Sequence, residues 1–161
     1  MASLKARYMG IDLDNPLVVS SSGITGRTSS IARCADAGVG AVVLRSLFEE
    51  AIVAQSNDLN DLLISTGAGR PEVYDYVHGD IGMHLGPLSY LEFIEKVRKT
   101  VTLPVIASIN CTSARWWVPY ARRIESSGAN GLELNISHFP GSGREDSRTL
   151  EKQYAEIVHD V

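Results

Sequence analysis

The decisive stretch of this sequence is GLELNISHFP, residues 131–140. Leu132 and Leu134 are typical of a buried strand, and the apolar run stops at Asn135, with His138 close behind. In parallel α/β proteins, binding and catalytic groups lie at the carboxyl ends of the strands. The stretch therefore predicts a buried strand whose carboxyl end marks the functional site.

Three further apolar runs have the same form, at residues 17–19, 41–44 and 105–109. Helical periodicity follows each run, beginning near residues 28, 89, 115 and, after the last strand, 150. Gly38 and Gly128 each end a helix just before an apolar strand, which is the position of a left-handed C-cap. Near-continuous apolar strands joined by helices predict the α/β class, with a parallel sheet covered by helices.

The pattern leaves two architectures open, an open doubly wound sheet and a (β/α) barrel. No Gly-x-Gly-x-x-Gly follows the first strand, which argues against a dinucleotide-binding sheet.

Two local details of the helices are also predicted. The spacing of Ser89 and Glu92 indicates a capping box at the start of the second long helix. Pro119 is expected in the first turn of the third, where its missing N–H costs little.

Composition bounds the function. The chain has 161 residues, a formal net charge of −4 and 44% hydrophobic residues, which fits one domain with a real core. No basic run indicates a nucleic-acid partner, and no apolar run approaches the roughly 20 residues that span a bilayer. The cysteines, Cys34 and Cys111, give no disulfide framework, and the N-terminus lacks a signal-peptide core. We expect a cytoplasmic protein without nucleic-acid or membrane partners.

Four strand ends, taken together and in this order, resemble the N-terminal half of the dihydroorotate dehydrogenases. They follow a hairpin-like lead-in at residues 8–16 and read SSSG at 20–23, LRS at 44–46, SIN at 108–110 and LNIS at 134–137. The resemblance is closest to the soluble branch and its dihydroorotate dehydrogenase-like relatives. It implies the N-terminal (β/α)4 half of a TIM (β/α)8 barrel, with residues 1–161 forming one partial barrel domain truncated after the fourth helix.

The resemblance implies an FMN enzyme that oxidises dihydroorotate to orotate in pyrimidine biosynthesis. In such a reaction a base removes a proton from one carbon while the flavin accepts hydride from its neighbour, so base and flavin flank the substrate. At Arg45 the family has a lysine, and arginine keeps the charge but changes the geometry. The positions matching the family's cofactor-binding residues are Ser21, Ser22, Gly23, Arg45, Ser46, Asn110 and Asn135.

The chain departs from the family pattern at the catalytic base. His138 stands where the family has cysteine or serine, and Pro140 replaces a substrate-binding asparagine. Histidine can act as a base near neutral pH, so His138 is the candidate catalytic residue. The family's substrate loop has only a faint counterpart at residues 82–87, where His84 is a second candidate for ligand contact. No cluster of residues has the spacing of a metal site.

Two alternatives stay open. One is a phosphate-binding barrel enzyme of other chemistry, such as an aldolase, which needs a lysine or a metal cluster at a strand end. The other is a non-enzymatic half-barrel that acts through self-association or a partner chain. Four strands leave two unpaired edges and an exposed apolar inner face. We therefore expect a homo-oligomer, and an isolated chain that is inactive by itself.

Overall fold

The computed structural model describes residues 3–53, 87–111, 114–136 and 146–161. The strands in these ranges are β1 (Ala6–Tyr8), β2 (Ile11–Leu13), β3 (Val18–Val19), β4 (Ala41–Val43), β5 (Leu47–Phe48), β6 (Val105–Asn110) and β7 (Gly131–Leu134). The helices are a 3₁₀ turn (Ile24–Gly26), α1 (Thr28–Asp36), α2 (Pro87–Thr100), α3 (Ala114–Ser126) and α4 (Ser147–Asp160), and residues 49–53 are also helical.

The main sheet is parallel throughout its described strands. β3 pairs with β4, β4 and then β5 pair with β6, and β7 pairs with the opposite edge of β6. Spatial order therefore follows chain order, without the reversal that defines the switch point of a doubly wound sheet. The predicted α/β class with a parallel sheet is confirmed, and the strand order is consistent with part of a (β/α) barrel.

The lead-in is an antiparallel hairpin of β1 and β2, as the sequence predicts. Its two-residue turn contains Met9 at φ 51° and Gly10 at φ 77°, the positive values that a tight hairpin turn needs. The hairpin lies beneath the amino ends of β6 and β7, because a Cβ added at Gly131 would stand 3.0 Å from Met9 Cε and 3.5 Å from Ile11 Cδ1. Glycine at 131 therefore makes room for the hairpin.

One face of the sheet packs against the helices and forms the core. Alternate residues of β6, namely Val105, Ala107 and Ile109, belong to this cluster together with side chains from the helices. The largest fully buried helical side chains are Ile31, Ile52, Tyr90, Ile94, Trp117 and Ile124. Side chains alternate across a strand, so Ile106, Ser108 and Asn110 lie on the other side, which we call the inner face.

The structure differs from the sequence prediction on the inner face. Val43 and Ile106, which face away from the helices, are only 7% and 2% exposed, so this part of the inner face is not the exposed apolar surface that we expected. Met9 Cε, Ile11 Cδ1 and Ile106 Cγ1 all lie within 4 Å of the position of a Cβ added at Gly131, so the hairpin lies beside Ile106 on this face. The pattern of four apolar strands alone does not predict that the hairpin covers this face.

Local helix details also differ. α2 begins at Pro87, so Ser89 lies inside its first turn and is not the N-cap. Pro is favoured at a first helical position because its fixed φ suits the helix. α3 begins at Ala114, which moves Pro119 into the second turn. The two glycine caps are confirmed, with φ of 82° at Gly38 and 84° at Gly128.

Among the described residues, no helix is long and apolar enough to cross a membrane.

Candidate functional site

The turn after β3 is held by a buried threonine. Thr25, fully buried, accepts a hydrogen bond from Ser22 N at 3.0 Å and donates one to Ser22 O at 3.1 Å. The chain after β4 is tied to the same turn, because Arg45 N donates to Thr25 O at 3.4 Å. Thr25 thus fixes Ser21, Ser22 and Gly23 relative to the end of β4.

A continuous row of hydrogen bonds crosses the sheet near the carboxyl ends of its strands. Ser21 Oγ lies 3.1 Å from Ser46 Oγ and accepts a hydrogen bond from Ser46 N at 3.1 Å. Ser46 Oγ lies 2.8 Å from Ser108 Oγ, and Ser108 Oγ donates to Glu133 Oε1 at 2.6 Å. We call Ser21, Ser46, Ser108 and Glu133 the hydroxyl row. It joins the ends of β3 and β4 to β6 and β7 on the inner face.

The two asparagines lie at neighbouring positions beyond the row. Asn110 is the last residue of β6, and Asn135 directly follows β7. Asn135 N donates to Ile109 O at 2.9 Å, which extends the strand pairing by one residue. By alternation from Ser108 and Glu133, both amides lie on the inner face. Asn110 is half-buried and Asn135 is exposed, so both can reach a ligand at the strand ends.

Gly23 and Arg45 lie in the segments that follow β3 and β4, respectively. The Arg45 side chain lies along the 3₁₀ turn, with its Cδ 3.3 Å from the position of a Cβ added at Gly26. Among the described residues, no carboxylate forms an ion pair with Arg45. Gly23 has φ −60° and nothing within 4 Å of an added Cβ, so neither its backbone conformation nor its packing requires glycine.

A buried tyrosine lies where the sheet pairing is interrupted. Between β4 and β5 the chain leaves β6, and the Tyr90 hydroxyl occupies the gap. It accepts from Ser108 N at 3.0 Å and donates to Ser108 O at 3.1 Å. Burial raises the pKa of Tyr90 well above its usual value, the nearby Glu133 carboxylate adds to the rise, and the hydrogen bond to Ser108 opposes it. The phenol therefore stays protonated, and from the helix side of the sheet it hydrogen-bonds the backbone of Ser108, a member of the row.

Cys111 follows Asn110 but belongs to the core. It is 2% exposed, and burial raises the pKa of its thiol to about 12, with Glu49 and Glu50 adding to the rise. A thiol held protonated in this way is a poor nucleophile.

Among the described residues, no group of three or more histidine, cysteine or acidic side chains could hold a metal ion.

The structure brings several predicted site residues together and leaves others outside its description. Ser21 and Ser46 are hydrogen-bonded, and Asn110 and Asn135 are neighbours on one face. His138, Pro140 and His84 lie outside the described residues. Sequence reasoning missed the roles of three residues, Thr25, Tyr90 and Glu133. Only Thr25 had a local signal, a hydroxyl three residues after Ser22 in a turn.

No protein-family model matches the sequence. The chain is similar to the catalytic subunit of dihydroorotate dehydrogenase B (NAD(+)) from Thermoplasma acidophilum, with 28% identity over 152 residues. The match covers 90% of this chain and 46% of that protein, so the chain spans about half the length of the curated relative it matches. This is a distant similarity to a dihydroorotate dehydrogenase catalytic subunit.

Proposed function

We propose that this chain is the N-terminal half of an FMN-dependent, dihydroorotate dehydrogenase-like oxidoreductase. In this proposal residues 1–161 form one partial (β/α)8-barrel domain, and the inner-face strand ends form part of the active site. The observation that carries the proposal is the convergence of Ser21, Ser46, Asn110 and Asn135 at the carboxyl ends of sequential parallel strands. The similarity to the Thermoplasma acidophilum subunit supports it independently.

The residues present fit a flavin. Glycine at 23 has open space around it, and no backbone or packing reason for glycine exists among the described residues. Approach of a planar ligand to the backbone supplies such a reason. Ser21, Ser22 and Gly23 would contact the cofactor through small groups, and the Arg45 cation would offset negative charge on it. The Asn110 and Asn135 amides would bind its polar edge.

Bound FMN would supply the two-electron acceptor for oxidation of a carbon–carbon single bond. The protein must then bind the substrate beside the strand ends, exclude water and remove one proton from carbon. We assign the proton removal to His138, from the sequence alone. The proposed substrate is dihydroorotate, in pyrimidine biosynthesis in the cytoplasm, or a related small molecule that undergoes the same CH–CH oxidation.

Flavin titration of the purified chain tests the proposal, and β7 offers a matched pair of variants. Asn135 lies at the carboxyl end of β7, whereas Asn130 lies at its amino end, where Oδ1 accepts from Val105 N at 2.9 Å. We expect Asn135→Ala to weaken FMN binding about tenfold, as the loss of a hydrogen bond of about 1.4 kcal/mol would. Asn130→Ala should lower stability and leave FMN affinity of the folded protein unchanged.

The readout is quenching of FMN fluorescence, with circular dichroism to verify folding. Folded wild-type protein that leaves FMN fluorescence unchanged would refute the flavin proposal. Equal effects of the two asparagine variants on affinity would refute the assignment of the site to the carboxyl ends.

One observation favours the second candidate, a half-barrel that self-associates. Within the described residues, the outer edge of β7 pairs with no strand. Beside it is a groove of about 510 Å³, lined by α3, β7 and the end of α4, with Ala121, Ile124 and Leu132 among its apolar walls. A second copy would cover this edge and complete the proposed homo-oligomer. Light scattering coupled to size exclusion measures this, and a monomer at all concentrations would contradict it.

An aldolase-type alternative has less support. All four lysines of the chain, at positions 5, 96, 99 and 152, lie before β1 or on helices, away from the carboxyl ends of the sheet. A Schiff-base mechanism needs a lysine at such a strand end.

A further inference from the structure

Counting protons shows which group donates and which accepts in each hydrogen bond of the hydroxyl row. A serine hydroxyl has one proton to donate and two lone pairs, whereas a carboxylate can only accept. Ser108 donates to Glu133 Oε1 at 2.6 Å, so its only proton is used. The contact of 2.8 Å with Ser46 then requires Ser46 to donate to Ser108. The contact of 3.1 Å with Ser21 requires Ser21 to donate to Ser46.

All three hydroxyl protons are thereby committed within the protein. Ser108 is fully buried, so it does not contact a ligand. It links the Glu133 carboxylate to the Ser46 hydroxyl and so determines the direction of the Ser46 hydrogen bond. Ser21 and Ser46, which are half-buried, each keep a lone pair that no proton of the row occupies. Hydrogen bonds to a charged acceptor are strong, and a chain of them polarises along its length. The negative charge of Glu133 therefore determines what Ser21 and Ser46 can offer at the strand ends.

We propose that Glu133 is a positioning residue that makes Ser21 and Ser46 an acceptor-only surface, which selects a ligand edge carrying an N–H donor. The inference rests on the proposed function, because it identifies the edge of FMN that faces this surface. The oxidised isoalloxazine ring carries one N–H, at N3, while its other polar ring atoms only accept. A ring carbonyl placed against Ser21 would meet a lone pair and lose affinity, whereas N3–H would be matched.

Two variants change the row without altering the strand ends themselves. Glu133→Gln keeps the shape but can donate through its amide, so the direction of the row is no longer dictated. Ser108→Ala removes the link between Ser46 and Glu133. Glu151→Gln, an exposed position on α4, is the control for loss of one acidic charge. Thermal unfolding of each variant shows whether it is folded before binding is compared.

The experiment has one readout without flavin and one with it. In the flavin-free protein, the ¹⁵N–¹H signal of the Ser46 amide reports the row, because Ser46 N donates to Ser21 Oγ at 3.1 Å. Fluorescence titration then compares FMN with FMN methylated at N3. We expect wild-type protein to prefer FMN about tenfold, the cost of one unmatched polar group. Glu133→Gln and Ser108→Ala should bring this ratio close to one and shift the Ser46 signal, and Glu151→Gln should do neither.

The outcomes separate this inference from the proposed function. FMN binding by wild-type protein with no preference over the methylated form overturns the inference and leaves the flavin proposal intact. An unchanged Ser46 signal and an unchanged ratio in Glu133→Gln also overturn it. If wild-type protein binds neither flavin, the proposed function fails and the ligand assignment fails with it, and the Ser46 signal alone then decides whether Glu133 sets the direction of the row.

Discussion

Replacing Tyr90 by phenylalanine removes one hydroxyl from the fully buried gap between β4 and β5. That hydroxyl accepts from Ser108 N at 3.0 Å and donates to Ser108 O at 3.1 Å. The aromatic ring, which is 0% exposed, remains to fill the core. The substitution therefore leaves a backbone N–H and a backbone C=O of the sheet without their partner, and little else changes.

The magnitude follows from these two groups. Each hydrogen bond contributes about 1 kcal/mol net, and a buried polar group left unsatisfied costs about 1–3 kcal/mol. We expect Tyr90→Phe to lower the free energy of unfolding by about 2–4 kcal/mol. With an m-value of about 2 kcal/mol per M, the urea midpoint falls by about 1–2 M. Tyr8→Phe is the control, because Tyr8 is 55% exposed on the hairpin and its loss should cost below about 0.5 kcal/mol.

The same residue predicts a pH dependence. The phenol of the unfolded chain ionises near pH 10.0, whereas burial keeps the pKa of Tyr90 in the folded protein higher. The unfolded state therefore releases a proton first, and stability that is present below pH 10 is lost as the pH rises further. Tyr90→Phe should flatten that loss. A urea midpoint within about 0.2 M of wild type at unchanged m, and an unchanged alkaline limb, would refute the assigned hydrogen bonds.

Three further predictions concern other parts of the chain. Gly40→Ala should cost about 2–3 kcal/mol in urea unfolding, because the added Cβ would overlap Asn15 O, and equal stability would contradict that contact. Cys111 should resist a thiol reagent until the protein unfolds. The stability of the protein should fall as the pH rises from 9.0 towards the raised pKa of the Cys111 thiol, about 12. Cys111→Ala should remove that part of the loss of stability. Asp146→Ala should lower the Tm and the helicity of α4, because Asp146 accepts from Thr149 N at 2.8 Å. Hydrogen bonds from the side chain and then the backbone N–H of Thr149 lower the pKa of Asp146, so the stabilisation should vanish as the pH falls below about 4. A wild-type Tm in Asp146→Ala would contradict the cap.

The sequence predicted the strands and helix ends that depend on local properties. The apolar runs at 41–44 and 105–109 became β4 and β6, since strands covered on both faces need no polar alternation. Gly38 and Gly128 were identifiable as caps because only glycine takes positive φ without cost. Ser89 is not the N-cap that its spacing predicts, because Pro87, two residues earlier, starts the helix equally well.

The candidate site was predictable as a set of polar residues at strand ends, but its internal connections were not. Ser21 and Ser46 could be assigned to neighbouring strand ends, yet their hydrogen bond depends on how Thr25 anchors the turn. Likewise β5 gave no periodic signal, because a two-residue strand has no period to detect.

By itself, the sequence determined the α/β class, the hairpin, the glycine caps and the end of the sheet where polar groups gather. Each of these follows from residues within one turn or one strand, where side-chain period and backbone φ act locally. Only the tertiary structure decided that Glu133 meets Ser108, through the pairing of β6 with β7, and that Tyr90 fills the gap beside β5. Hydrogen-bond partners far apart in the chain depend on strand register and helix packing, and a one-residue shift in register would turn Glu133 to the opposite face.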